Sequence, residues 1–242
     1  MKNLESLFLL LALLAEIIGT VGGFGSSVFF VPVANFYFDF QTVLGITALF
    51  HVASNLSKIA MFKKGIDKKL ITYLGIPAVA FVIIGGIVAK YLNEYLLEIF
   101  LGVFLIGLSL LFLIKKNLII KPNKREAFLG GSLSGLFAGI LGTGGAIRGL
   151  TMAAFNLEKS AFIATSAIID FFVDFSRTIV YFLNGFITKE ILIYVPFLII
   201  IGIVGTYTGK ILLRKISQET FKKLSLYLIL TIGIATFIGA IL

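Results

Sequence analysis

Leu192-Ile-Tyr-Val-Pro-Phe-Leu-Ile-Ile-Ile-Gly-Ile-Val204 contains no charged residue and no alternation of polar with apolar side chains. Strands of a membrane barrel alternate outward apolar with inward polar residues, so an unbroken run of this kind reads as helix. Similar runs recur along the chain, at Thr42–Phe62, Leu70–Ala89, Tyr95–Ile114, Ser160–Leu183, Ile191–Lys210 and Phe221–Leu242. A helix needs roughly 20 residues to cross a hydrocarbon core about 30 Å thick, and these runs are near that length. Backbone groups have no water to bond in lipid, which leaves helices and closed barrels as the only spanning forms. The fold class is therefore all-α, in a membrane.

Composition agrees. The chain of 242 residues is 59% hydrophobic and 14% charged, with a mean hydropathy of +1.07; soluble domains carry about 25% charged residues. A net charge of +9 would suggest nucleic acid in a soluble protein, but here the lysines and arginines crowd into short loops. There they set orientation and meet anionic headgroups, so the bilayer is the expected partner and nucleic acid is not. The absence of cysteine excludes disulfides, thiolate metal sites and a cysteine nucleophile, and no cofactor or metal is implied. Leu4–Ile18 follows Lys2 in the manner of a signal peptide. Glu16 interrupts its end, however, and glycines stand where a cleavage site belongs, so it is expected to stay in the mature protein.

Shifting the chain on itself by about 120 positions superposes Gly19 on Gly139, Gly22 on Gly142, Gly25 on Gly145, Gly65 on Gly185, Pro77 on Pro196 and Lys90 on Lys210. This is an internal duplication, a recurrent plan of membrane transporters. It divides the chain into a first repeat, residues 1–114, a basic cytoplasmic linker, 115–126, and a second repeat, 127–242. Each repeat opens with a glycine-broken pair, Leu4–Gly19 with Ser26–Phe36 and Phe128–Leu141 with Ala146–Phe155, followed by three longer runs. If the first segments cross, there are eight spans and the loop cations divide almost evenly. If the broken pairs are re-entrant, six spans remain and every loop cation except Lys2, Lys90 and Lys189 falls on one side. The positive-inside rule favours the second arrangement, with the repeats inverted relative to each other.

Consecutive glycines weaken a helix by roughly 1 kcal/mol each relative to alanine. Gly22, Gly23 and Gly25 in one repeat and Gly142, Gly144 and Gly145 in the other therefore need a reason. One reading is a discontinuous helix whose freed N–H groups face the membrane interior and attract an anion. The other is close packing of helices through small residues. A nucleotide phosphate loop does not fit, since no Lys-Ser or Lys-Thr follows the glycines.

The sequence Gly22-Gly-Phe-Gly-Ser-Ser-Val-Phe-Phe-Val-Pro32, repeated as Gly139-Ile-Leu-Gly-Thr-Gly-Gly145, resembles the sulfite exporter (TauE/SafE) family. The likeness runs over essentially the whole chain and includes Gly45-Ile-Thr-Ala48 and Ala164-Thr-Ser-Ala167. It implies a cell-membrane, multi-pass permease for a small sulfur-containing anion, sulfite or an organosulfonate. The second motif departs from the pattern with Met152 where proline is expected and with Arg148 just after its glycines.

Ionisable residues inside spans are costly and mark pathways. His51, Asn55 and Lys58 share one helix face, and Asp170, Asp174 and Arg177 repeat the spacing at an offset of 119. On the pathway reading the two faces confront each other, Lys58 and Arg177 draw the anion, and His51, Asp170 or Asp174 carries a proton. On the structural reading Asp174 and Arg177 neutralise each other and Lys58 snorkels toward Lys63. Arg148 either binds the anion or pairs with Asp170. Glu16 either pairs with one of these cations or holds a half-helix in place.

The function expected is a secondary anion transporter working by alternating access. The alternatives are a passive anion channel and, with one His, no Cys and no Gly-x-Gly-Asp motif around either aspartate, a poorly supported intramembrane enzyme. The partners expected are a small anion, the bilayer and a second copy of the chain.

Overall fold

The computed structural model describes residues 2–22, 25–114, 121–213, 215 and 218–241, with the side chains of residues 6–22 and 226–241 at the two ends. Among the described residues there is helix and no strand. In the first half these are α1 (Lys2–Gly22), α2 (Ser27–Ala34), α3 (Phe40–Met61), α4 (Lys68–Ala89) and α5 (Glu94–Ile114). In the second they are α6 (Lys124–Leu141), α7 (Gly145–Ala153), α8 (Lys159–Asn184), α9 (Val195–Leu212) and α10 (Gln218–Ile241). Asp39 and Asn123 cap α3 and α6, accepting from the Thr42 and Glu126 amides, as short polar side chains do for the free N–H groups of a first turn. Asn123 starts its helix inside the stretch 115–126, and Lys115 to Ile120 of that stretch lie outside the described residues.

Both prolines that the duplication superposes sit where the helical ladder is interrupted. Pro77 follows a π-helical turn, Ile71–Gly75, within α4. Pro196 stands in the first turn of α9, after a short separate turn at Lys189–Leu192. Proline has no N–H to give and crowds the carbonyl four residues back, so each helix yields at that point.

The packing is inside-out. On α4, Ile76, Ile83, Ile84 and Ile87 face outward with Ile76 64% exposed, while Glu16, Arg177, Arg148, Asp174 and Lys58 are buried. Water would reverse that arrangement; lipid favours it. Among the described residues four helices are long and apolar enough to cross a bilayer: α3, α4, α5 and α9. The 26-residue α8 has the length, about 39 Å at 1.5 Å per residue, but carries the charges of the interior.

The principal pairings are α4 with α6, α1 with α9, α3 with α8, and α5 with α10. Glycines set the closest of them. A Cβ at Gly131, Gly135 or Gly139 of α6 would collide with the carbonyl oxygens of Leu74, Ala78 or Val82 on α4. Across the other pair it is α9 that yields: a Cβ at Gly205 or Gly209 would lie 2.7 Å from the side chains of Glu16 or Thr20. Each broken pair folds back on itself. Phe8 of α1 packs against Tyr37 beyond α2 at 5.3 Å and edge-to-face with Phe38 at 5.2 Å, and a Cβ on Gly130 of α6 would strike Thr151 of α7.

Candidate functional site

The two glycine breaks meet. Gly25, at φ +82°, lies against Gly145 and Arg148, and Ser27 Oγ donates to Thr143 Oγ1 at 3.3 Å. Gly142 ends α6 at φ +71°, a left-handed conformation that costs a side-chain-bearing residue roughly 1–2 kcal/mol. Gly131, Gly135, Gly139 and Gly144 thus allow close packing, whereas Gly25 and Gly142 turn the chain at the breaks.

Between the breaks, α3 and α8 enclose a small cavity of about 20 Å³, the room of about one water molecule. Gly25, Gly142, Gly144 and Gly145 form part of its wall. His51, Asn55 and Lys58 enter from α3, Asp170, Asp174 and Arg177 from α8, and Arg148 from α7. Gly22, the last residue of α1, is not in that wall, and Gly23 lies outside the described residues. Asn55 and Asp174, which the duplication superposes, bond each other directly across the cavity, Nδ2 to Oδ2 at 2.7 Å.

Each cation has a carboxylate. Arg177 Nη2 pairs with Asp174 Oδ1 at 2.7 Å, and Arg148 Nη1 pairs with Asp170 Oδ1. Lys58 does not snorkel toward Lys63. It is buried, 2.8 Å from Glu16 Oε1, and donates to Ser54 Oγ at 2.8 Å. A long flexible stem reaches the membrane face only where no nearer counter-charge exists, and here Glu16 supplies one.

Glu16 is fully buried, and its carboxylate is the most heavily bonded group of the interior. It accepts from Thr20 Oγ1 at 3.1 Å, Ser26 Oγ at 2.6 Å, Ser54 Oγ at 2.6 Å and Thr206 Oγ1 at 3.0 Å. Ser26, Ser54 and Thr206 escaped the sequence reading because isolated hydroxyls in apolar helices are common and these come from α3, α9 and the first break. Their one signal is Ser54, four residues before Lys58 and so on the same face.

Arg177 also has a structural task. The last carbonyls of a helix that stops inside the membrane have no intrahelical partner and no water. Arg177 Nη1 donates to Gly142 O at 2.7 Å and to Ala138 O at 3.3 Å, and Tyr181 Oη donates to Gly139 O at 2.8 Å. Arg177 Nε is buried with no hydrogen-bond partner among the described residues.

Along α3 and α8 the site is followed by an apolar cluster, Phe62, Ile163 and Ala164 with Met61 and Phe162. Beyond it opens a cavity of about 740 Å³ lined by Lys63, Lys64, Lys159 and Lys210. Lys210 Nζ closes one side of the cluster, donating to Met61 O at 2.9 Å and lying 5.1 Å over the Phe62 ring. On the side of the Phe30–His51 contact lie packed rings, Phe30 against Phe50 at 4.8 Å and Phe8 against Phe30 at 5.9 Å.

Outward isoleucines, buried charge and helices long enough to span define a helical membrane protein with a small polar chamber between its two halves. The family of sulfite exporter TauE/SafE matches residues 8–236, nearly the entire chain. The protein belongs to that family of membrane transporters. No curated protein matches it.

Proposed function

We propose that this protein carries a small sulfur oxyanion, sulfite or an organosulfonate, across the cell membrane by alternating access between two inverted repeats, coupled to protons. The observation that carries the proposal is the chamber itself, lined by both glycine breaks and by Lys58, Arg148 and Arg177, with one guanidinium N–H unpartnered. Guanidinium groups present planar donors that suit oxyanions.

The pairing of helices supports two-fold symmetry between the halves, and the one-sided loop cations are what favour inversion. Exchanging the halves turns α1 on α9 into α6 on α4, while α3 on α8 and α5 on α10 each map onto themselves. That is the pattern expected of a pseudo-two-fold axis passing between α3 and α8. The broken pairs then become re-entrant hairpins from opposite faces, and the lysine-lined cavity faces the cytoplasm by the positive-inside rule.

A carrier suits the chamber better than a channel. The cavity holds about one water molecule, with aromatic rings packed on one side and Phe62, Ile163 and Phe162 on the other. An anion is admitted only when α3 and α8 part at one end, whereas a pore needs a continuous path. The test is uptake of radiolabelled sulfite, sulfate and taurine into proteoliposomes, with and without an imposed proton gradient. Saturable, gradient-sensitive uptake of sulfite or taurine is expected. Non-saturating flux indifferent to the gradient would establish the channel instead.

A further inference from the structure

Counting hydrogens along one chain of bonds shows a place for a single extra proton. His51 Nδ1 lies 2.8 Å from the Thr47 carbonyl oxygen. A carbonyl only accepts, so Nδ1 carries a hydrogen. His51 Nε2 lies 2.8 Å from Ser26 Oγ, and Ser26 Oγ lies 2.6 Å from Glu16 Oε2. Ser26 has one hydroxyl hydrogen and serves two bonds. If it donates to Glu16, His51 Nε2 must donate to it; if it donates to His51, Glu16 must be the protonated partner. Both bonds exist together only when the Glu16–Ser26–His51 chain holds one proton beyond its neutral-histidine, ionised-carboxylate state.

The donors around Glu16 decide where the proton rests. Thr20, Ser54, Thr206 and Lys58 all point at Oε1. These bonds stabilise an ionised carboxylate, which leaves His51 Nε2 as the place in the chain for the extra proton. Phe30 and Phe50 pack on the imidazole at 5.9 and 5.0 Å between ring centroids, and its other edge faces the chamber.

The charges of the chamber give the proton a purpose. Lys58 with Glu16, Arg148 with Asp170, and Arg177 with Asp174 sum to zero. Lys58, Arg148, Asp170, Asp174 and Arg177, with His51, line the chamber from α3, α7 and α8, while Glu16 of α1 lies behind Lys58 and the uncharged Thr206 approaches it from α9. A monovalent anion added to that set leaves one buried negative charge uncompensated, which an apolar interior opposes strongly. Protonated His51 restores neutrality.

We infer that the Glu16–Ser26–His51 chain is the coupling site, and that the chamber takes one monovalent oxyanion together with one proton held on His51. This rests on the anion-carrier reading of the same chamber and deepens it by assigning the proton to the first repeat rather than to Asp170 or Asp174. When the anion leaves, the proton leaves with it. Ser26 then loses one of its two bonds, and because its carbonyl accepts the amides of Phe29 and Phe30 at the start of α2, the first glycine break feels the change.

The test is calorimetric binding of methanesulfonate, whose single charge is fixed between pH 6 and pH 9, to the detergent-purified full chain in buffers of different ionisation enthalpy. The expected result is uptake of about one proton per anion at high pH, with affinity falling about tenfold per pH unit there. His51→Gln is expected to bind more weakly with no pH slope and no proton uptake, and Ser26→Ala to reduce the slope while both titratable groups remain. Binding without proton uptake in the unaltered protein would overturn this inference and leave the carrier reading standing. Retention of the full slope in a folded His51→Gln protein would likewise overturn it. Failure to bind methanesulfonate and sulfite at all would overturn the reading beneath it as well.

Discussion

The two repeats place polar residues at matching positions and put them to different uses. In the second repeat, Arg148 and Arg177 meet Asp170 and Asp174 of α8, and Arg177 also completes the carbonyls of Ala138 and Gly142 where α6 stops. In the first, a lysine replaces the arginine and reaches past its own break to Glu16, whose remaining lone pairs are filled by hydroxyls from three helices and the break itself. Planar guanidiniums suit an oxyanion; a carboxylate, a hydroxyl and an imidazole in line suit a proton. On the proposed reading the guanidiniums of the second half hold the anion and the Glu16–Ser26–His51 chain of the first holds the proton.

The sharpest way to break this comparison is to remove a cation from each half. Arg177→Gln leaves Asp174 buried beside an uncapped helix end and is expected to cost about 3–5 kcal/mol and all transport. Adding Asp174→Asn should recover much of the melting temperature but none of the uptake. Lys58→Gln leaves Glu16 its hydroxyl donors, so the loss should be smaller, about 1.5–3 kcal/mol. Equal losses in thermal denaturation would show that the two clusters are equivalent supports.

Packing offers a second contrast. Gly135→Ala sets a methyl group against the Ala78 carbonyl and is expected to destabilise by about 1–3 kcal/mol, while the position 120 residues earlier is already Ala15. The two first-helix pairs thus reach their close approach by opposite means, glycines on α6 in one and on α9 in the other. Gly142→Ala, at φ +71°, should cost about 1–2 kcal/mol. Should it melt like the unaltered chain, the left-handed break is not required.

The smallest effect is expected at the lysine-lined cavity. Neutralising Lys63 and Lys64 together should raise the KM for an anion a few-fold at low salt, and the difference should fade near 1 M salt, where the Debye length is about 3 Å. An unchanged KM at low salt would remove the cavity from the path.

Much of the fold was legible because lipid simplifies it. Apolar runs in the sequence coincide with the helices to within a few residues, and Pro77 and Pro196 mark interruptions in both halves. Where reading failed, the cause was one residue type serving two ends. Gly139 and Gly142 look alike in sequence, yet one admits a neighbouring helix and the other turns the chain. The environment of Glu16 was hidden for another reason. Its donors at Ser26, Ser54 and Thr206 lie 10, 38 and 190 positions away, and only the packing of α9 on both α1 and α3, with α2 folded back on α1, brings them together.

The central claim, that the chamber between α3 and α8 is where the anion binds, is tested most directly by diffraction from crystals grown with selenite, a heavier mimic of sulfite whose selenium is located by its anomalous signal. The account predicts one peak in the chamber, within hydrogen-bond distance of Arg177 or Arg148 and lost in Arg177→Gln. A selenium peak confined to the lysine-lined cavity, with none between the glycine breaks, would contradict it.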